Sequence, residues 1–242
     1  MMRWRRLAII SFLVALAFFM EHTPADAYET VEVTGGGSIK GQVTFKGTPP
    51  KVEALPVTKN QDHCGSSKAD ETCLIGPQGA VQNVVVTIED IVKGKAFESG
   101  TYKLDNNRCA FAPHVQVVPI NQTLEILNSD PILHNTHAFL GTSTIFNLAL
   151  PLKDQKIPKR LKRPGVMSVK CDAGHAWMSA YVVVVENPYY DVTDGSGAFE
   201  ITNIPPGTYQ VKAWHEGLGT EIQKVTIQGG QVSSVTFSSL KP

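Results

Sequence analysis

Val169-Lys170-Cys171-Asp172-Ala173-Gly174-His175-Ala176-Trp177-Met178-Ser179-Ala180-Tyr181 places a thiol, an imidazole and a thioether within eight residues. It runs into the apolar segment Tyr181 to Val185, which reads as a buried strand able to hold a ligand loop rigidly at its end. Soft thiolate and thioether donors beside an imidazole suit copper, whereas magnesium and calcium prefer oxygen. A trigonal site of two His and one Cys with a weak axial Met needs one further histidine. The segment Asn128-Ser129-Asp130-Pro131-Ile132-Leu133-His134-Asn135-Thr136-His137 supplies it at His134, just after a turn that follows a strand. The thiol must ionise to bind, so metal and proton compete at Cys171.

This donor set resembles that of the cupredoxins, the type 1 (blue) copper proteins, in their amicyanin- and plastocyanin-like form. Leu133-His134-Asn135 is similar to the family's Pro-His-Asn segment, and Cys171, His175 and Met178 match its ligand loop before a Val-rich final strand. The resemblance implies His134, Cys171, His175 and Met178 as ligands of one copper ion. It gives Asn135 a bracing role through hydrogen bonds around the site. The spacing Cys-x3-His-x2-Met is one residue longer between Cys and His than in amicyanin or plastocyanin. Binuclear centres share that spacing but need a second cysteine upstream, and Met167 and Lys170 offer no such donor. A mononuclear site is therefore expected. The resemblance spans roughly residues 101–187.

The N-terminus carries Arg3, Arg5 and Arg6, then the apolar run Leu7 to Met20, then Ala25-Asp26-Ala27. That order predicts a secretory signal cleaved after Ala27, with an apolar run shorter than the ~20 residues that span a bilayer. Removing residues 1–27 takes three arginines and two acids from a chain with 22 of each sign, leaving a net charge of −1. A near-neutral exported chain is not a nucleic-acid binder by charge. The expected compartment is the periplasm, with no membrane span after cleavage.

Beyond the loop the chain reads as β-structure. Val81 to Ile88 is rich in β-branched residues, and Ser38 to Phe45 alternates loosely. Four further strands, over 198–201, 209–214, 222–227 and 232–237, are separated by Gly- and Pro-rich turns. No helix is expected. Asp194-Gly195-Ser196-Gly197-Ala198-Phe199-Glu200-Ile201, with Ile204-Pro205-Pro206-Gly207-Thr208-Tyr209-Gln210-Val211, resembles the carboxypeptidase regulatory-like (transthyretin-like) domain. The opening strands which that resemblance implies, around Gly41-Gln42-Val43 and Val84-Val85-Val86, precede the copper segment, and the closing strands follow it. The expected fold is all-β: a cupredoxin Greek-key β-sandwich plus a carboxypeptidase regulatory-like β-sandwich. The latter is split over 28–100 and 188–242, with the copper domain inserted at 101–187. A simple tandem is the alternative.

Four cysteines occur: Cys64, Cys73, Cys109 and Cys171. If Cys171 ligates a metal, at most one bridge forms inside the chain. Cys64 with Cys73 closes a short loop, whereas proteins of the resembled architecture imply Cys64 with Cys109, leaving Cys73 over. His137 sits at an odd offset from His134, so strand alternation turns it away from the site. His63, His114 and His215 are read as polar surface residues. Trp177, between two ligands, is a hydrophobic lid that limits water access. The basic run Lys153, Lys156, Lys159, Arg160, Lys162 and Arg163, in a stretch whose two prolines argue against helix, is either a solvated loop or a docking face for an acidic redox partner. The expected function is a single-electron carrier. Copper storage or delivery, and a non-metal envelope binding module, are the alternatives. An enzyme is not expected, because four protein ligands leave no open position for substrate.

Overall fold

The structure, a computed structural model, describes residues 28–240. The expected signal segment 1–27 lies outside the described residues. Two β-sandwiches hold most of the strands among the described residues. In the first, a five-stranded sheet runs in the order Ser143–Leu150, His134–Leu140, Gly165–Lys170, Ser179–Val185, Val115–Pro119. It faces a four-stranded sheet ordered Gln155–Arg160, Thr123–Asn128, Tyr102–Asn107, Ala110–Ala112. Leu104, Leu124, Ile126, Phe146, Met167, Val182 and Val184 fill the space between them.

The second sandwich packs the sheet Tyr190–Val192, Val85–Glu89, Gly207–His215, Gly219–Ile227 on the sheet Ala198–Ile204, Gly37–Val43, Val232–Phe237. Its core holds Ile39, Val86, Ile88, Phe199, Val211 and Phe237. Every strand of this sandwich lies before residue 90 or after residue 189, and every strand of the first lies between Tyr102 and Val185.

The Val-rich runs owe their composition to burial on both faces. In Ser179–Val185, Val182 and Val184 point into the first core, while Val183 and Val185 point into a layer shared with Val85, Val115 and Val117. In Val85–Glu89, Val86 and Ile88 enter the second core and Val85 enters that shared layer. A strand covered on both sides loses the apolar–polar alternation of a half-exposed one. The shared layer joins the sandwiches, with Tyr181 and Trp214 packed against it.

Two expectations need correction. The basic run is only partly a loop: Gln155–Arg160, which carries Lys156, Lys159 and Arg160, is a strand pairing antiparallel with Thr123–Asn128, and Lys153, Lys162 and Arg163 flank it. It is the outer strand of its sheet, where Pro158 needs no ladder donor. Lys153, Lys156, Arg160, Lys162 and Arg163 are exposed, and Lys159 lies over the Phe146 ring. A single helical turn, Gln61–Cys64, also interrupts the irregular stretch after Pro50.

That turn is tied down by a disulfide between Cys64 and Cys109, 45 residues apart in sequence, while Cys73 and Cys171 are free. Closing a loop of this length removes about 4 kcal/mol of unfolded-state entropy. The double variant Cys64→Ala/Cys109→Ala should therefore unfold at clearly lower denaturant, with a loss near that figure. A loss under about 1 kcal/mol would mean that the loop is already ordered in the unfolded chain.

Candidate metal centre

His134, Cys171 and His175 offer donor atoms that all lie within 4.8 Å of one another, and all three residues are buried. Three elements bring them together. His134 opens the strand His134–Leu140 and pairs with Leu150. Cys171 follows the neighbouring strand Gly165–Lys170. His175 sits in the loop that returns to Ser179–Val185, where the Met178 N–H donates to the His175 carbonyl at 2.9 Å. The Cys171 Sγ lies 3.5 Å from His175 Nδ1 and 3.9 Å from His134 Nδ1. Met178 is 2% exposed and packs in the same core.

Each imidazole presents its Nδ1 to the sulfur because its far nitrogen is engaged elsewhere. His134 Nε2 donates to Asp130 Oδ2 at 2.8 Å, and His175 Nε2 donates to Asn60 Oδ1 at 2.9 Å. An acceptor at the far nitrogen holds a hydrogen there, so Nδ1 is the nitrogen left to a metal. At His134 burial opposes a charge, but Asp130 and Cys171 raise the pKa, so a metal would displace a proton from its Nδ1. Asp130 is itself saturated. Its carboxylate also accepts from the Arg108 and Cys109 backbone N–H groups, both at 2.7 Å, and from His63 Nε2 at 3.0 Å.

The charges follow from these contacts. Burial opposes ionisation of Asp130, but the donors from His134, Cys109, His63 and Arg108 outweigh it and hold the carboxyl far below its ordinary range. Burial disfavours the Cys171 thiolate, yet His134 and the Asn135 and Ala173 N–H groups bring its pKa below the usual thiol value. Burial, then the positive charges of His134 and Lys59, push His175 down to about 4, so this imidazole is neutral and metal-ready at neutral pH.

Asn135 works at two points: its N–H donates to Cys171 Sγ at 3.3 Å, and its Oδ1 accepts from the Asp172 N–H at 3.3 Å. His137 is turned the other way, with Nδ1 2.5 Å from Asp172 Oδ2 and Nε2 2.9 Å from Thr144 Oγ1. The Trp177 ring stands 5.1 Å from that of His175, and its Nε1 donates to the Cys109 carbonyl at 2.9 Å.

The cover over His175 was not legible in the sequence. The disulfide-tied turn lays Asn60 against His175, and Lys59 Nζ donates to the Ala173 carbonyl at 2.6 Å. Gly174, at φ +93°, leaves room for it, since a β-carbon there would come within 3.0 Å of Lys59 Cδ. Asn60 lies 115 residues from His175 and carries no local signal. Asp130 does carry one, since it precedes His134 by a single i,i+4 step across the turn. The second cluster, His63, Cys109 and Asp130, offers no thiolate, because Cys109 is in the disulfide.

Of the three histidines read as surface residues, His63 is exposed, with its Nε2 3.0 Å from Asp130 Oδ1. His114 and His215 are placed differently: both are buried, and Glu216 of the other sandwich closes against His114. His215 Nδ1 accepts from the Gly217 and Leu218 N–H groups at 3.1 and 3.2 Å. Burial, then the charge of His114, lower its pKa from 6.5 to about 4. A depressed histidine contributes stability that is present above pH 6.5 and is lost as pH falls toward 4, on the order of 3 kcal/mol in all. In denaturant titrations of the metal-free protein, His215→Gln should flatten the fall in stability across that window. An unchanged slope would show that His215 does not titrate there.

Residues 168–239 match the carboxypeptidase regulatory-like domain family. Solved structures similar to the chain include a purple cupredoxin from Nitrosopumilus maritimus, at 20% identity and a TM-score of 0.30, covering 35% of this chain and 99% of that one. A methionine-to-alanine mutant of amicyanin in its Cu(I) state is 21% identical at a TM-score of 0.31, covering 41% of this chain and 98% of amicyanin. A copper-containing nitrite reductase from Thermus scotoductus SA-01 is 19% identical at 0.32, covering 38% of this chain and 24% of the reductase. No curated protein matches the chain. The matched family model is one of the two that the sequence resembles. Among the described residues no helix is long and apolar enough to cross a membrane.

Proposed function

We propose that this chain is an exported copper protein that binds one ion and carries single electrons, with His134, Cys171 and His175 as strong donors and Met178 as the weak axial donor. The carrying observation is that three soft or borderline donor atoms converge within 4.8 Å while both far imidazole nitrogens are held by fixed acceptors. The donor set fits copper: two imidazole nitrogens and a thiolate, with the Met178 thioether three residues beyond His175 in sequence. When bound, copper supplies a one-electron couple between its two oxidation states. The chain holds the donors still. Asp130 and Asn60 fix the rings, the Asn135 N–H orients the sulfur, and Trp177 with the disulfide-tied turn keeps water out.

A covered site with every donor supplied by protein favours electron transfer over delivery, which needs an exit for the ion. It also leaves no position for substrate, so the reading is a carrier and not an enzyme. The exposed cations Lys153, Lys156, Arg160, Lys162 and Arg163, with Lys159 beside them, would steer an acidic redox partner. Residues 1–27 would direct export to the periplasm.

Titration of the metal-free, reduced protein with copper(II) tests this. An intense visible thiolate-to-copper band saturating at one ion per chain is expected. A protein that stays colourless and binds only copper(I) would support copper handling instead, and no binding at all would leave a non-metal module.

The copper segment is further proposed to be an insertion in the carboxypeptidase regulatory-like sandwich. The pairing of Val85–Glu89 with Gly207–His215, and of Gly37–Val43 with both Ala198–Ile204 and Val232–Phe237, supports it. Limited proteolysis near Gly94 and Pro188 should yield a C-terminal fragment that stays bound to the N-terminal piece. A C-terminal fragment that is stable alone would favour a tandem.

A further inference from the structure

Beside the valine layer that joins the sandwiches runs a chain of polar contacts which the metal site does not itself require. His114 precedes the strand Val115–Pro119 of the first sandwich, and Glu216 follows the strand Gly207–His215 of the second. Their side chains are only 5% and 4% exposed. His114 Nδ1 donates to the Ser179 carbonyl at 3.1 Å, and its Nε2 donates to the Glu216 carboxylate. Both partners are acceptors, so the ring carries hydrogen on both nitrogens and the contact is a buried ion pair. Glu71 Oε2 stands 3.9 Å from His114 Nδ1 at the outer edge. The His114 carbonyl accepts the Tyr181 N–H at 2.8 Å, and the Tyr181 ring packs edge-on against both His114 and Trp214.

The point of attachment matters. Ser179 directly follows Met178, and His114, Trp177, Met178 and Ser179 line one small cavity. The imidazole thus grips the backbone where the ligand loop enters its strand, and the group that fixes the imidazole comes from the other sandwich. A buried ion pair adds little net stability over apolar packing of the same volume. Its main effect here is the geometry that it imposes.

We propose that Glu216, acting through His114, positions the axial donor Met178, so that the second sandwich tunes the copper centre of the first. This rests on the copper reading above. With such a donor set the thioether would be the weakest donor to copper, and the potential that the ion supplies would be tuned by it. A small movement of the Ser179 backbone would therefore register in colour and potential without loss of the ion.

The test uses the full chain loaded with copper(II), comparing wild type with Glu216→Ala, Glu216→Gln and Val85→Ala. Glu216→Gln is the mild variant, for the case in which the alanine form folds poorly. Val85 lies in the valine layer and 1% exposed, so Val85→Ala loosens the same junction without removing the polar chain. Both Glu216 variants are expected to shift the reduction potential and the relative intensities of the thiolate-to-copper bands at unchanged stoichiometry. Val85→Ala should lower the melting temperature and leave potential and bands in place. Glu216 variants with wild-type bands and potential would overturn the proposal, whatever their melting temperatures. An equal shift in Val85→Ala would also overturn it, because general loosening would then suffice. A colourless wild type would overturn the copper reading and this proposal together, whereas a coloured wild type with unmoved variants overturns the positioning role alone.

Discussion

Cys171→Ser should abolish the visible copper band completely while leaving the fold within about 1 kcal/mol of wild type. The sulfur is the one anionic donor of the cluster, 3.5 Å from His175 Nδ1 and 3.9 Å from His134 Nδ1. Its ionisation is favoured by His134 and the backbone N–H groups around it despite burial. A serine hydroxyl stays neutral at working pH and is a hard oxygen donor, so neither the charge nor the softness of the thiolate survives. The two imidazoles remain held by Asp130 and Asn60, which leaves a weak nitrogen site. Copper affinity should fall by more than the roughly 10–100-fold that loss of an outer partner costs. Competition with a coloured chelator measures it. A serine variant that keeps the band would remove Cys171 from the ligand set.

The second large effect is expected at Asp130, which touches no metal. Its carboxylate, 2% exposed, holds His134, His63 and two backbone N–H groups at once. Asp130→Ala leaves the Arg108 and Cys109 N–H groups and His134 Nε2 without that acceptor. Removing one side of a buried charged network costs about 3–5 kcal/mol. It also frees the His134 ring to turn or to change tautomer, for a further 10–100-fold loss of copper affinity, a range typical of outer-shell partners. Chemical denaturation of the metal-free protein reads the first number and chelator competition the second. Stability within about 1 kcal/mol of wild type, with unchanged affinity, would show that Asp130 braces nothing.

The parts of the fold legible beforehand were those whose signals are local. The Val-rich runs announced strands because burial on both faces removes polar residues from them, and the Gly- and Pro-rich turns between Asp194 and Gln231 marked the closing strands. The clustering of Cys171 and His175 was legible because a Cys, a His and a Met crowd into one loop. The strand Tyr102–Asn107 was not, since Leu104 and Asn106 are its fully buried residues and an inward Asn disguises the alternation. The basic strand was hidden by Pro158, which an outer strand tolerates. What escaped most fully depends on contacts between distant segments: Asn60 on His175, and His114 on Glu216 across the junction. A histidine's burial there is decided by a second sandwich that its own neighbours in sequence do not reveal.

Spectroelectrochemical titration of the copper-loaded chain reads the proposed electron transfer itself. The visible band should bleach on reduction and return on oxidation, with one electron exchanged per chain and no loss of metal. A chain that shows no such band, or that releases its copper when reduced, would contradict it.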